Sequence, residues 1–202
     1  MLLLIMAASE IETHSESFEL DPRLEQWFDL FLQQPKDISS IELDTPSQKY
    51  GNGLIIGRFQ PLHYGHIYLI TQALNICNKI SIGIGSVNPK PGDIDNPFPV
   101  EVREKILRRE LDRYGLTPKI TEIVRLNDFG DDQKWFDHVK SLVERFDVVV
   151  GNNGWVNEIF KERGIETKEI LMLDRNRLQG KEIRGFLRGI GFPLTAKPNY
   201  IA

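Results

Sequence analysis

The chain has 202 residues and a mass of 23.3 kDa, which fits one domain with an appendage and is too short for most multidomain synthetases. With 25 Lys and Arg against 29 Asp and Glu, its net charge of −4 excludes the basic coat of a general nucleic-acid-binding protein. The single cysteine, Cys77, excludes an internal disulfide, and no apolar run reaches the roughly 20 residues of a spanning helix, so we expect a cytoplasmic protein without a membrane partner.

Residues 1–48 differ in pattern from the rest of the chain. Apolar side chains recur at helical spacing from Leu24 to Leu32, behind an Asp-Pro pair that suits the start of a helix. A segment rich in Ser, Thr and Pro follows, as is typical of a linker. We therefore predict an N-terminal extension with one amphipathic helix at 1–48 and a main domain at 49–202.

In the main domain, short apolar strands alternate with amphipathic helices. The predicted strands are 53–57, 80–85, 119–126, 147–151 and 167–173, and the predicted helices are 66–77, 101–114, 135–146, 156–163 and 180–189. This alternation predicts an α/β fold, a Rossmann-like doubly wound parallel sheet of about five strands with helices on both faces. Such sheets bind ligands at the carboxyl ends of their strands, so the segments that follow the strands are the candidate sites.

The segment after the first strand, 57–66, reads G-R-F-Q-P-L-H-Y-G-H. A helix start offers free main-chain N–H groups and the positive end of its dipole, a seat for phosphate. His63 and His66 can donate hydrogen bonds to charge that grows on phosphorus, Arg58 can bind a further phosphate, and Gly65 lets the backbone approach a ligand. The alternatives are a solvated histidine beside a helix cap, or a zinc pair. Zinc would need a third ligand, and no nearby His or Cys supplies one, so we predict no metal held by the protein.

This segment resembles the signature of the HxGH nucleotidyltransferases, and most of all that of the archaeal-type nicotinamide-nucleotide adenylyltransferases. The segments at 83–86, 96–103 and 180–184 are similar to further motifs of that family, and the resemblance covers about residues 50–190. It implies an in-line transfer in which the phosphate of a mononucleotide attacks the α-phosphorus of ATP and pyrophosphate leaves. It also implies Mg²⁺ carried with ATP, and a homo-oligomer.

The resemblance implies roles for the residues at matching positions. His63, His66 and Arg184 would be the catalytic groups that hold the ATP phosphates and the transition state. The ATP-binding residues would be Gly57, Arg58, Phe59, His63, Gly65, His66, Gly180, Lys181 and Arg184.

The mononucleotide side would hold Asn96 and Arg103. Trp155, which follows the fourth predicted strand, is a candidate to stack on a flat ring. For each of these residues a structural role is the alternative: a turn for Asn96, a solvated helix charge for Arg103 and an aromatic packed under a loop for Trp155.

Two positions depart from the family pattern, because Gln179 and Lys181 stand where it has Ser and Thr. A lysine can replace those hydroxyls as a point charge, or the change can signal another substrate or a loss of activity. Three hypotheses follow. The first is AMP transfer to nicotinamide or nicotinate mononucleotide. The second is the same chemistry on another phosphorylated acceptor, and the third is a non-catalytic nucleotide sensor or scaffold.

Overall fold

The computed structural model of the protein describes residues 50–88, 93–170 and 180–189. Within these ranges lie β1 Tyr50–Gly57, α1 Tyr64–Ile76, β2 Cys77–Ile84, α2 Val100–Arg113, β3 Ile120–Arg125, α3 Asp132–Leu142, β4 Val148–Val150, α4 Gly154–Lys161, β5 Glu166–Lys168 and α5 Gly180–Gly189. The predicted extension at 1–48 and the predicted strand residues 171–173 lie outside the described residues. None of the described helices is both long and apolar enough to cross a membrane.

The strands form one sheet in the order β3-β2-β1-β4-β5, and every neighbouring pair is parallel. The chain therefore runs outward from β1 to β3, then returns to the other side of β1. This reversal places a crevice between the carboxyl ends of β1 and β4, where open α/β sheets bind ligands. The predicted α/β fold with about five parallel strands is confirmed.

The two faces of the sheet carry separate hydrophobic clusters, because side chains alternate along each strand. Ile55 of β1 packs in one cluster with Ile70 of α1 and Ile106 of α2. Its neighbour Leu54 packs in the other, with Val139 of α3 and Ile159 of α4 and other side chains of those helices. Strand β4 is buried on both faces, which explains why its three residues are all valine.

Four of the five predicted helices differ from the structure by one to four residues at their ends, and two of these differences bear on buried residues. Cys77 is the first residue of β2 rather than the last of the preceding helix, and its side chain is buried. Helix α3 ends at Leu142, so Val143 and Phe146 lie beyond it, although both still pack in the same cluster as Trp135. Apolar periodicity also predicts that Leu142 packs inward, yet this residue is 39% exposed, and the periodicity did not locate the point at which the helix ends.

Candidate active site

The two histidines open α1 at the end of the loop that follows β1. His63 is the N-cap residue, and its main-chain N–H donates to Nδ1 of His66 at 3.2 Å. The main-chain N–H of His66 donates to the carbonyl of His63 at 2.9 Å. The centroids of the two rings are 3.8 Å apart. The spacing of three residues therefore brings both imidazoles side by side at a helix start, where the peptide dipole favours an anion.

Both imidazoles are neutral at neutral pH. Burial lowers the pKa of His63 well below its ordinary value, and the neighbouring His66 lowers it further. Burial is the main cause that lowers the pKa of His66 to about 4. Because Nδ1 of His66 accepts a hydrogen bond, the single proton of this neutral ring lies on Nε2. His66 thus presents Nε2–H as a donor for a phosphate oxygen.

The loop before the histidines packs beneath them. Phe59 has a φ of 51°, a left-handed conformation uncommon for a residue with a side chain, and its ring is 1% exposed. The ring lies 4.8 Å from that of His66, centroid to centroid. A Cβ on Gly57 would come within 3.2 Å of the same ring, so a glycine permits this packing. In the structure the ring of Phe59 packs against that of His66, Gly57 leaves room for the Phe59 ring, and Gly65 is buried in the first turn of α1.

Arg103, on α2, is 2% exposed and ties two loops together. Its Nη1 donates to the carbonyls of Arg58 at 2.6 Å and Gly85 at 2.7 Å, and its Nη2 donates to the carbonyl of Ser86 at 3.0 Å. Burial lowers its pKa to about 10, so the guanidinium remains charged at neutral pH. The alternative of a solvated helix charge is wrong for this residue. Its contact with a mononucleotide stays a prediction, because the partners seen here are main-chain carbonyls.

Arg184 reaches the histidine loop from α5 and is 4% exposed. Its Nη1 donates to the carbonyl of Gln60, and its Nη2 donates to Oδ1 of Asp95, both at 2.8 Å. Burial lowers the pKa of Arg184, and the carboxylate of Asp95 opposes that shift. A Cβ on Gly180 would lie 2.9 Å from the Gln60 carbonyl, so the first turn of α5 needs glycine to come this close. Lys181, next to it, is exposed.

Asn96 closes a turn in the segment that follows β2. Its main-chain N–H and its Nδ2 donate to the carbonyl and to Oδ2 of Asp93, at 3.2 and 2.7 Å. This is the turn that the structural alternative predicted. Its Oδ1, however, is buried and has no hydrogen-bond partner among the described residues. An amide oxygen left in this state can still accept a hydrogen bond from a ligand.

A second group of residues lies at the carboxyl ends of β3 and β4. The Trp155 side chain is 44% exposed, its ring lies 4.8 Å from that of Trp135, and its Nε1 donates to Oδ1 of Asp132 at 3.2 Å. Phe129, on the loop after β3, is 41% exposed. Trp135 itself is buried. The Trp155 ring is therefore partly open to solvent, while the hydrogen bond to Asp132 fixes its Nε1 edge.

Sequence reasoning missed Gln60 and Asp95, although both lie in segments that it singled out. Gln60 appears in the motif only as a polar residue before proline, and Asp95 appears as one acid in a polar loop. Both become visible through partners that are distant in sequence. The side chain of Gln60 bonds to Phe98, and that of Asp95 bonds to Arg184.

The donors that meet at this site suit phosphate better than a metal ion. They are imidazole and guanidinium N–H groups and the amides of a helix start. In the described ranges, no three side chains among His, Cys, Asp and Glu come together in a way that could hold a metal ion.

Comparison with known proteins gives a consistent result. The cytidylyltransferase-like family model matches residues 54–186. The nicotinamide-nucleotide adenylyltransferase of Haloarcula marismortui is 37% identical over 132 residues, which cover 65% of this chain and 68% of that protein. The protein of the same name from Thermococcus onnurineus is 37% identical over 132 residues, covering 65% of this chain and 70% of its own length.

A solved structure is similar over the same part of the chain. It is a bifunctional NMN adenylyltransferase/ADP ribose pyrophosphatase from Francisella tularensis, complexed with AMP and a manganese ion. Its TM-score is 0.59, with 28% sequence identity over 69% of this chain. The match spans 42% of that longer protein.

Proposed function

The chain belongs to the cytidylyltransferase-like family and, within it, to the nicotinamide-nucleotide adenylyltransferases, and we propose that it transfers AMP from ATP to nicotinamide mononucleotide. The products are NAD and pyrophosphate, so the protein is a nucleotidyltransferase. The observation that carries this proposal is the pair of neutral histidines, which opens α1 beside the sheet crevice. The loop that leads into this pair accepts a hydrogen bond from Arg184 of α5.

In this reaction a phosphate oxygen of the mononucleotide attacks the α-phosphorus of ATP. The bond from that phosphorus to the β-phosphate oxygen breaks, and pyrophosphate leaves with the electron pair. No protein nucleophile takes part. Catalysis then consists of holding the reacting atoms in line and stabilising negative charge on the phosphoryl oxygens. Nε2–H of His66, the ring of His63 and the amides at the start of α1 supply that stabilisation.

Arg184, Asn96 and Trp155 bind the parts of the two substrates that lie away from the reacting phosphorus. Arg184 binds the outer phosphates of ATP and so favours the leaving pyrophosphate. Asn96 offers its unpartnered Oδ1 on the acceptor side, and the exposed face of Trp155 stacks on the pyridine ring. We treat Mg²⁺ as part of the substrate, carried by the ATP phosphates whose charge it screens.

Three further expectations belong to this proposal. Nicotinate mononucleotide is the second acceptor to test, since the site residues named above contact phosphate and ring faces rather than the carboxamide. Lys181, at the start of α5, supplies a point charge for phosphate in place of the family hydroxyl. We also expect a homo-oligomer in the cytoplasm.

The test is pyrophosphate release from ATP and Mg²⁺, with nicotinamide and nicotinate mononucleotide offered in parallel. The wild-type protein should release pyrophosphate together with a dinucleotide, and the ratio of rates identifies the preferred acceptor. The double variant His63→Ala, His66→Ala should lose at least about 100-fold in kcat, since each ring is a transition-state donor. His138→Ala is the matched control, because this histidine lies on α3 and should leave kcat unchanged.

This assay can contradict the proposed activity, and it can contradict the assignment of the catalytic site to the two histidines. ATP binding without pyrophosphate release, for every acceptor offered, would support a nucleotide sensor instead of an enzyme. Full activity in the double histidine variant would show that the catalytic site lies elsewhere.

A further inference from the structure

Among residues 50–88, 93–170 and 180–189, three carboxamide side chains bridge neighbouring loops at the carboxyl edge of the sheet. Each donates a hydrogen bond to the main-chain carbonyl of one residue and accepts one from the main-chain N–H of that same residue. The pairs are Gln60 with Phe98 at 2.9 and 2.9 Å, Asn88 with Asp128 at 3.2 and 2.7 Å, and Asn152 with Ile170 at 2.5 and 2.9 Å. They join the loops that follow β1 and β2, β2 and β3, and β4 and β5. The bridges thus continue the pairing of neighbouring strands beyond the end of the sheet.

The Gln60 bridge differs from the other two in its burial and in what its loop carries. Gln60 is 3% exposed, whereas the Asn88 bridge is exposed and the Asn152 bridge is partly buried. The loop that contains Gln60 leads directly into His63. The main-chain carbonyl of Gln60 accepts the hydrogen bond from Arg184. A buried, fully paired carboxamide resists displacement, because breaking the bridge would leave polar atoms without partners and without water.

The other end of this bridge lies on the acceptor side of the site. Phe98 is 1% exposed and follows Asn96 by two residues. The side chain of Gln60 therefore holds the acceptor segment, while its main-chain carbonyl holds Arg184. One residue links the group that binds ATP phosphates to the group that faces the mononucleotide.

We propose that Gln60 is a positioning residue that sets the spacing between the two substrates. This inference rests on the proposed function. An in-line displacement requires the attacking oxygen to lie about 3–3.5 Å from phosphorus, and a displacement of about 1 Å can cost about 100-fold in rate. Loss of the side-chain bridge releases the 96–98 segment from the histidine loop. The contact of Arg184 with residue 60 survives any substitution there, because it is made to the main chain.

The variants Gln60→Met and Gln60→Glu test this role, with Asn88→Ala as the matched control. Methionine keeps the volume and makes neither bond. Glutamate can still accept from the Phe98 N–H, but it places a carboxylate oxygen against the Phe98 carbonyl. Asn88→Ala removes the same kind of bridge from the loops that follow β2 and β3. For each full-length variant, kcat and both KM values are measured with ATP, Mg²⁺ and nicotinamide mononucleotide, together with ATP binding by calorimetry and thermal unfolding.

For both Gln60 variants we expect kcat to fall by at least about tenfold while the Kd of ATP stays within about threefold of wild type. Asn88→Ala should keep kcat within about threefold of wild type, since its bridge does not join the two substrate groups. A Gln60→Met kcat equal to that of Asn88→Ala would overturn the inference. A parallel loss of kcat and ATP binding, or loss of the unfolding transition in both Gln60 variants, would also overturn it, because Gln60 would then serve only the fold.

The wild-type measurement distinguishes a failure of the proposed function from a failure of the role assigned to Gln60. Wild-type protein that binds ATP but releases no pyrophosphate with any mononucleotide contradicts the proposed function. An active wild type with an active Gln60→Met variant contradicts only the role of Gln60.

Discussion

Nη2 of Arg184 donates a hydrogen bond to the carboxylate of Asp95 at 2.8 Å, although the two side chains differ greatly in exposure. The Arg184 side chain is 4% exposed and that of Asp95 is 65% exposed. The arginine is therefore held inside the site, and its acidic partner lies on the solvent side. A phosphate of ATP bound by Arg184 would compete with this carboxylate for the same N–H group.

Replacement of Asp95 by asparagine should strengthen ATP binding. An ion pair with one solvent-exposed partner, such as Asp95, contributes about 1 kcal/mol, so its removal should lower the Kd of ATP by up to about fivefold. The gain should shrink as salt is added, because the interaction is screened. Calorimetric titration with ATP at two salt concentrations measures it. Asp112→Asn, an equal change of charge at an exposed site on α2, is the control. Weaker ATP binding in Asp95→Asn would instead show that Asp95 holds Arg184 in its binding orientation.

The buried histidines should make the protein less stable in mild acid. The folded-state pKa of His66 is about 4, whereas its ordinary value is 6.5, so the unfolded chain binds more protons between these values. The contribution of the neutral His66 ring to the free energy of unfolding is therefore present above its ordinary pKa of 6.5 and is lost as the pH is lowered towards 4. From pH 7.5 to 5 this histidine alone should cost about 2 kcal/mol of unfolding free energy.

Urea unfolding of wild type and His66→Gln at both pH values measures this contribution. The variant cannot gain a proton at this position, so its stability should change less between the two pH values. The lowered pKa of His63 acts in the same direction and should leave a residual pH dependence in the variant. An equal loss of stability in both proteins would mean that the ring of His66 titrates normally.

Arg103 should act on stability more than on substrate affinity. Arg103→Met removes three hydrogen bonds from a buried guanidinium to main-chain carbonyls, and we expect a loss of about 3–5 kcal/mol in unfolding free energy. Arg103→Lys keeps the charge but loses the forked geometry, so it should recover only part of that loss. Chemical denaturation measures both. A normal unfolding midpoint with a raised KM for the mononucleotide would assign Arg103 to substrate binding instead.

Trp155 should contribute to the acceptor site and little to the fold. Stacking of a base on an aromatic ring contributes about 1–3 kcal/mol, so Trp155→Ala should raise the KM for the mononucleotide by about fivefold or more. Trp155→Phe keeps a stacking surface and should lose less. Because Trp155 is 44% exposed, the unfolding temperature should change little in either variant. An unchanged KM in Trp155→Ala would leave this ring as packing against Trp135.

The elements of the main domain were predictable to within a few residues, and so was the location of the histidine pair. Unbroken valines mark β4 as a strand buried on both faces, and His63 and His66 follow a buried strand at a spacing that fits a helix start. These signals are local, since they depend on neighbours within about one or two turns of chain. The partners of Arg103 could not be found in this way. Arg58 is 45 residues away from it, and Gly85 is 18 residues away.

Periodicity and helix-start chemistry are properties of short stretches of chain, so the sequence alone was enough to predict which segments alternate as strand and helix and which carry candidate phosphate-binding groups. The hydrogen-bond partner of each buried polar side chain, by contrast, depended on the fold. Packing of the loops buries Gln60, Arg184 and Arg103. In the fold Gln60 bonds to Phe98, Arg184 pairs with Asp95, and Arg103 points inward to main-chain carbonyls. A buried polar group must find a partner within reach, and that partner depends on which distant segments the sheet brings to the same edge.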